Sequence, residues 1–358
     1  MPIDSKIRSI IKQNGNITVD HTMSEVLSLN SASYYQWQNK LGAQGDFTTA
    51  SEISQLFGEI IGLWTINQWQ QMGEPKQINL VELGPGRGLL MRDLLKVARL
   101  VPEFYNSLNI GLIEINQHFI AQQQSNLAHI ALPINHYDKI ENIEKYPTIF
   151  IANEFFDAMP IKQYIKREEL WYESTLVIEP NDSKIKFGKI AISQELQNYL
   201  LKTHKNAKDG AVIEESYKSL EIIKFISNHI KQCGGSSLII DYGYDIDPLE
   251  RTRYQYNYTL QAIKKHKYHP LLETLGEADL SAHVDFWALK TIAKNFGLQI
   301  KGAISQRDFL IHNGIILRAE TLKNKLDASQ AQIIDRQVDR LISSTKMGEI
   351  FKVLILNN

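Results

Sequence analysis

Three stretches of this sequence concentrate residues that can do chemistry. In "VELGPGRGLL" (81–90), Glu82 stands two positions before alternating glycines, Gly84, Gly86 and Gly88. Glycines that close an apolar run and open a helix-like segment leave the backbone bare, so a ligand can approach it without meeting a Cβ. The second stretch, "NEFFDAMP" (153–160), follows another apolar run and sets Asn153, Glu154 and Asp157 together. The third, "LGEADLSAHVDFWAL" (275–289), holds Asp279, His283 and Asp285 at the start of a predicted helix.

The glycine spacing selects the ligand. A phosphate-binding P-loop needs Lys-Ser/Thr after its last glycine, and Leu89-Leu90 stand there instead. The dinucleotide fingerprint is G-x-G-x-x-G, whereas the spacing here is G-x-G-x-G. A pyrophosphate wants a free helix N-terminus, and Glu82 beside the turn would repel it. S-adenosylmethionine carries no phosphate. Its sulfonium and ammonium are cationic and suit a carboxylate at the first strand end. Glu114, at the end of the next apolar run, can accept both ribose hydroxyls. S-adenosylmethionine is therefore the expected cofactor, against the plainer reading of a turn built only for strand–helix packing.

In doubly wound sheets ligands bind beyond the carboxyl ends of the strands. That places Asn153, Glu154 and Asp157 at the rim beside the cofactor. An arginine acceptor is protonated, with a pKa above about 12. Carboxylates can bind its fork of donors, localise its charge and accept the departing proton. The competing reading is a helix start with acidic first-turn residues, which the helix dipole favours. His283 is a candidate base or orienting group, or else a structural histidine. No second histidine lies at ligand spacing, so no metal is expected. A fourth patch, "LGAQGDFTTASEISQLFGE" (41–59), offers Asp46 and Phe47 as a lid over the cofactor. There Thr49 with Glu52 has the form of a capping box, and Ser51 with Ser54 is the alternative cap.

These residues need a scaffold. "INLVEL" (78–83), "LNIGLIEI" (108–115) and "YPTIFIAN" (146–153) read as strands, with helices over 88–99 and 116–127. Strand and helix alternating at this spacing predict a parallel, doubly wound sheet covered on both faces. The predicted fold is α/β, with a Rossmann-like core over 76–160 and 234–316. Residues 1–75 read as an N-terminal helical region and 161–233 as an inserted subdomain of antiparallel strands and a helix. Residues 244–280 read as a long polar insertion within the core, 298–316 as a strand pair, and 317–358 as a helix and last strand.

The chain has 358 residues and a formal net charge of −1. That length suits two domains or one core with large insertions. The charge argues against a dedicated nucleic-acid binder. A single cysteine, Cys233, excludes an internal disulfide framework and a cysteine zinc site. No run is apolar and long enough to span a membrane. The N-terminus lacks an apolar signal core, so the expected compartment is the bacterial cytoplasm, or the mitochondrial matrix for a eukaryotic chain.

"GDFTTASEISQLFGE", "VELGPGRG", "NEFFDAMP" and "GEADLSAHVDF", in this order, resemble the MidA-like methyltransferase family. The resemblance runs from about Ser24 through the "KMGEIFKVL" tail. The family's mitochondrial members are protein arginine methyltransferases of respiratory complex I assembly. The resemblance implies a class I, Rossmann-like methyltransferase fold and S-adenosylmethionine as donor. It implies symmetric dimethylation of an arginine on the 49-kDa-type NADH dehydrogenase subunit as the activity. It also puts Glu82, Gly84, Gly86 and Gly88 in the donor turn, Glu114 at the ribose and Asn153, Glu154 and Asp157 in the rim. Departures from the family pattern are Ala32-Ser33-Tyr34-Tyr35 for a glycine-tyrosine-tyrosine segment, Ser51 for a proline, and His136 for a tryptophan that would stack on adenine. Two further readings stay open: a methyltransferase with another or small-molecule acceptor, and a non-catalytic assembly factor. Polar insertions and rim carboxylates favour the protein-acceptor enzyme.

Overall fold

The computed structural model describes residues 3–27, 49–179, 184–264, 267–273 and 275–358. Asp46 and Phe47, the expected lid residues, lie outside the described residues. The chain divides into two compact units. The larger comprises Leu41–Phe156, Ile222–Gly243 and Ala288–Asn358; the smaller comprises Met1–Lys40, Asp157–Glu221 and Tyr244–Trp287.

The larger unit is built on a sheet of strands β1 (Ile78–Leu83), β2 (Leu108–Ile113), β3 (Ile134–Tyr137), β4 (Thr148–Asn153), β5 (Gly235–Tyr244), β6 (Gln299–Ser305) and β7 (Phe351–Asn357). Their order across the sheet is β3-β2-β1-β4-β5-β7-β6. Neighbours from β3 to β5 are parallel, and β7 runs antiparallel to both β5 and β6. The mostly parallel α/β architecture expected from the sequence is the one observed. Every residue of β1 is buried, as a central parallel strand covered on both faces requires. The chain steps from β1 outward to β2 and β3, then returns to the other side of β1 as β4. Strand order therefore reverses between β1 and β4, and that switch point is where such sheets open a ligand crevice.

Three helices matter to the site: α1 (Gln55–Gln71), α2 (Leu89–Ala98) and α3 (Gln117–Leu127). Gly58 and Gly62 let α1 close on α2, since a Cβ at Gly58 would stand 2.8 Å from Asp93 Cβ. Ile60, Leu94, Ile110, Ile151, Ile240 and Val353 belong to one apolar core across these layers.

Three departures from the sequence reading concern this sheet. Strand β3 was not expected, because "INHY" has no apolar run and its residues are only half-buried. The predicted strand pair over 298–316 is one strand, β6, followed by a helix, Gln306–His312, capped by the Ser305 side chain accepting from the Asp308 N–H. The strand partner comes instead from the tail: β7 inserts between β5 and β6.

In the smaller unit, Leu170–Ile178 pairs antiparallel with Lys162–Arg167, Ile185–Ala191 and Ile17–Thr18. The last pairing ties the N-terminal residues to the inserted strands, whereas the sequence reading joined residues 1–75 into one region. Ile7, Met23, Leu176 and Leu280 share a core there. The polar stretch 244–280 carries short antiparallel strands: Gln261–Lys264 pairs with Lys267–His269 and Asp279–Ser281. Among the described residues, no helix is long and apolar enough to cross a membrane, and no cluster of His, Cys, Asp and Glu could hold a metal ion.

Candidate active site

The glycine turn follows β1 directly. Gly84, Gly86 and Gly88 have φ values of 61°, 51° and 75°, a left-handed conformation that side chains disfavour. A Cβ at Gly84 would stand 2.8 Å from Phe155 Cδ2, so the rim motif packs straight onto the turn. On its other side the turn is pinned by α3. The fully buried Gln123 donates through Nε2 to the Gly86 carbonyl at 2.7 Å and towards Glu114 Oε2 at 3.4 Å. Gln123 Oε1 faces His136 Nε2 at 3.0 Å, so that ring nitrogen is the donor. Asn126 Nδ2 donates to the Arg87 carbonyl at 2.8 Å. Gln123 thus joins the turn, Glu114 and His136 into one network. His136 lies within β3, and desolvation lowers its ring pKa.

The two strand-end acids have different environments. Glu114 Oε1 accepts the Ile115 and Asn116 N–H groups at 2.9 and 2.8 Å; burial raises its pKa while these bonds oppose the rise. Glu82 is 3% exposed, and its Oε2 accepts no hydrogen bond from the described residues. Burial pushes its carboxyl pKa up to about 8, opposed by the Met91 N–H and assisted by the nearby Glu114 charge. A buried carboxylate oxygen left open beside bare glycine backbone fits a cationic ligand, not a phosphate. These residues fit S-adenosylmethionine: Glu82 and the glycine turn would hold its amino-acid portion and Glu114 its ribose.

The rim begins where β4 ends. Glu154 has φ 50°, a strained value for a side-chain-bearing residue. Its N–H donates to the Ile240 carbonyl at 2.9 Å. Its Oε1 accepts the Ala50 N–H at 2.9 Å and Asn153 Nδ2 at 3.4 Å. Glu154 thereby caps the short helix Ala50–Ile53. The expected Thr49 cap is not formed: its side chain makes no cap bond and meets Ser51 Oγ at 3.0 Å instead. Ser54 is the cap of α1, accepting the Leu56 N–H at 3.3 Å. The same short helix carries Glu52, whose Oε1 faces Arg87 Nη1 in the glycine turn at 3.6 Å.

Sequence reasoning missed Gln123, Asp241 and Glu52 as site residues. Asp241, wholly buried on β5, accepts the Phe156 N–H at 3.0 Å and the Tyr242 N–H at 2.9 Å, and so clamps the turn after β4. An acid closing the apolar run of "SSLIIDYG" was the available signal, the same one that marked Glu82. Gln123 had none, since it sits in a run of three glutamines.

Asp157 and His283 belong to the smaller unit. The buried Asp157 accepts the Ala282 N–H at its carbonyl, 2.9 Å away. The His283 backbone N–H donates to Thr259 Oγ1 at 2.9 Å. Its side chain is exposed, and partial desolvation of the ring lowers its pKa against the pull of Glu214. The expected helix start at Asp279, His283 and Asp285 is displaced. Asp279 lies in a strand, and the helix Phe286–Asn295 begins only after Asp285.

Comparison with known proteins gives the family. A family model for S-adenosyl-L-methionine-dependent methyltransferases matches residues 60–304. The chain is 33% identical to the Danio rerio "Protein arginine methyltransferase NDUFAF7, mitochondrial", across 98% of this chain and 86% of that protein. It is 31% identical to the Homo sapiens protein of the same name, across 99% and 84%. A solved Burkholderia thailandensis chain bound to S-adenosyl-homocysteine has the same fold, with a TM-score of 0.85 at 24% identity over 99% of this chain and 92% of that one. A strand order reversing beside a left-handed glycine turn, acids at both strand ends and this family match converge: the chain belongs to the S-adenosylmethionine-dependent methyltransferases.

Proposed function

We propose that this methyltransferase modifies arginine on a protein, and that the acceptor is the 49-kDa-type subunit of a respiratory NADH dehydrogenase, taken to symmetric dimethylarginine. The relatives named as protein arginine methyltransferases, matched over nearly the whole chain, support the acceptor class. The observation that carries the catalytic reading is Glu154, a carboxylate held at a strained φ of 50° at the end of β4. When bound, the donor supplies an electrophilic methyl group. The guanidinium is a poor nucleophile because its charge is shared over three nitrogens and it is always protonated. Glu154 binds guanidinium N–H groups, draws the positive charge to one side and takes up the proton lost on methylation. Asn153 orients that carboxylate through its Nδ2 at 3.4 Å. Asp157 and His283 remain candidates for acceptor binding and proton transfer.

The test is transfer of labelled methyl to the purified acceptor subunit, with the modified residue located by mass spectrometry. Glu154→Gln should lower transfer at least about 100-fold while S-adenosylhomocysteine binds as before. Full transfer by that variant would remove Glu154 from the mechanism. Labelling of a small molecule or of no arginine would remove the proposed acceptor class. Asp157→Asn and His283→Gln, assayed in the same way, test the remaining candidates.

A further inference from the structure

Around the glycine turn, three buried side-chain oxygens have no hydrogen-bond donor among the described residues: Glu82 Oε2, Glu52 Oε2 and Asn153 Oδ1. All three are acceptors. They come from separate parts of the sequence, yet the larger unit gathers them. Leu83 pairs with Ala152 in the β1–β4 register, so Glu82 and Asn153 each stand one residue from that pair. Glu52 is tied to the same place twice. Its helix gives the Ala50 N–H to Glu154 at 2.9 Å, and its own Oε1 meets Arg87 of the turn at 3.6 Å. Buried acceptors are ordinarily satisfied, so three open ones around one turn call for a ligand that brings donors.

We propose that Glu52 and Asn153 complete, with Glu82, a three-acceptor cradle for the ammonium of the donor's methionine moiety. An alkylammonium carries three N–H donors and no acceptor, which matches the three open oxygens. Arg87 offsets Glu52, and an ammonium beside Glu82 favours its ionised form over the protonated form that burial favours. Burial raises the Glu52 pKa and Arg87 only partly opposes this, as expected of a carboxyl that gains from a second cation. The proposal rests on the donor reading of the turn and assigns roles to Glu52 and Asn153 that neither the motif spacing nor the rim reading supplies.

Calorimetric titration of the wild-type chain and Glu52→Gln with two probes tests it. S-adenosylhomocysteine has the ammonium; 5′-methylthioadenosine has the adenosine and thioether without it. Loss of one charge-assisted hydrogen bond should weaken S-adenosylhomocysteine about tenfold or more and leave 5′-methylthioadenosine within about twofold. Asn153→Ala should show the same selectivity and carries the comparison if Glu52→Gln fails to fold. Equal weakening of both probes would show that Glu52 only shapes the site, and unchanged binding of both would show that it does not touch the ligand. Either result overturns the proposal. A wild-type chain that binds neither probe would overturn the donor reading and this proposal with it.

Discussion

Replacing Glu82 by glutamine should stabilise the protein above neutral pH and do little at acid pH. The folded carboxyl has its pKa raised from the ordinary 4.5 to about 8 by burial. A raised carboxyl favours folding fully below the unfolded value, and that contribution is lost as pH rises through the folded value. Between about pH 5 and 7.5 the unfolded Glu82 ionises almost completely while the folded one stays mostly protonated. At about 1.36 kcal/mol per pKa unit, the wild type loses about 3 kcal/mol across that interval from this residue alone. Glutamine resembles the protonated form in shape and cannot ionise, so Glu82→Gln removes that slope. Urea unfolding of both proteins at pH 5 and 7.5 measures the change in their difference, and all other titrating groups cancel. Saturating S-adenosylhomocysteine should shrink the wild-type penalty, since an adjacent ammonium favours the ionised carboxylate. A difference that stays the same at the two pH values would refute the claim that Glu82 is held protonated in the free protein.

Gly84→Ala should cost about 1–2 kcal/mol from its left-handed φ alone, and more through Phe155, whose Cδ2 lies 2.8 Å from the new Cβ; an unchanged urea midpoint would count against the turn geometry. Gln123→Leu should cost about 2 kcal/mol or more by leaving the Gly86 carbonyl and His136 without their partner. It should also weaken S-adenosylhomocysteine, which calorimetry would register. Ser54→Ala should cost about 1 kcal/mol through loss of the α1 cap, without altering ligand affinity.

The local features were legible because local chemistry determines them. The apolar runs 78–83 and 146–153 announced β1 and β4, which are buried almost throughout. Spacing at Gly84, Gly86 and Gly88 announced a turn that only glycine adopts readily, and all three φ values are positive. Acids closing the apolar runs announced Glu82 and Glu114. Where periodicity was weak, as in the half-buried β3, the element went unseen. Where a polar stretch lacked apolar runs, as over 261–281, its strands did too.

What the sequence by itself determined is therefore the fold class, the glycine turn and the acids flanking it, because strand period, turn conformation and strand-end position are set within a few residues. The tertiary structure decided the rest. It placed the tail strand β7 between β5 and β6, because a sheet edge is satisfied by whichever chain reaches it. It turned Glu154 into the cap of a helix 104 residues away and Gln123 into the hub that joins the glycine turn, Glu114 and His136. It also raised the Glu82 pKa, because burial and hydrogen-bond partners belong to the packed molecule and no local stretch carries them.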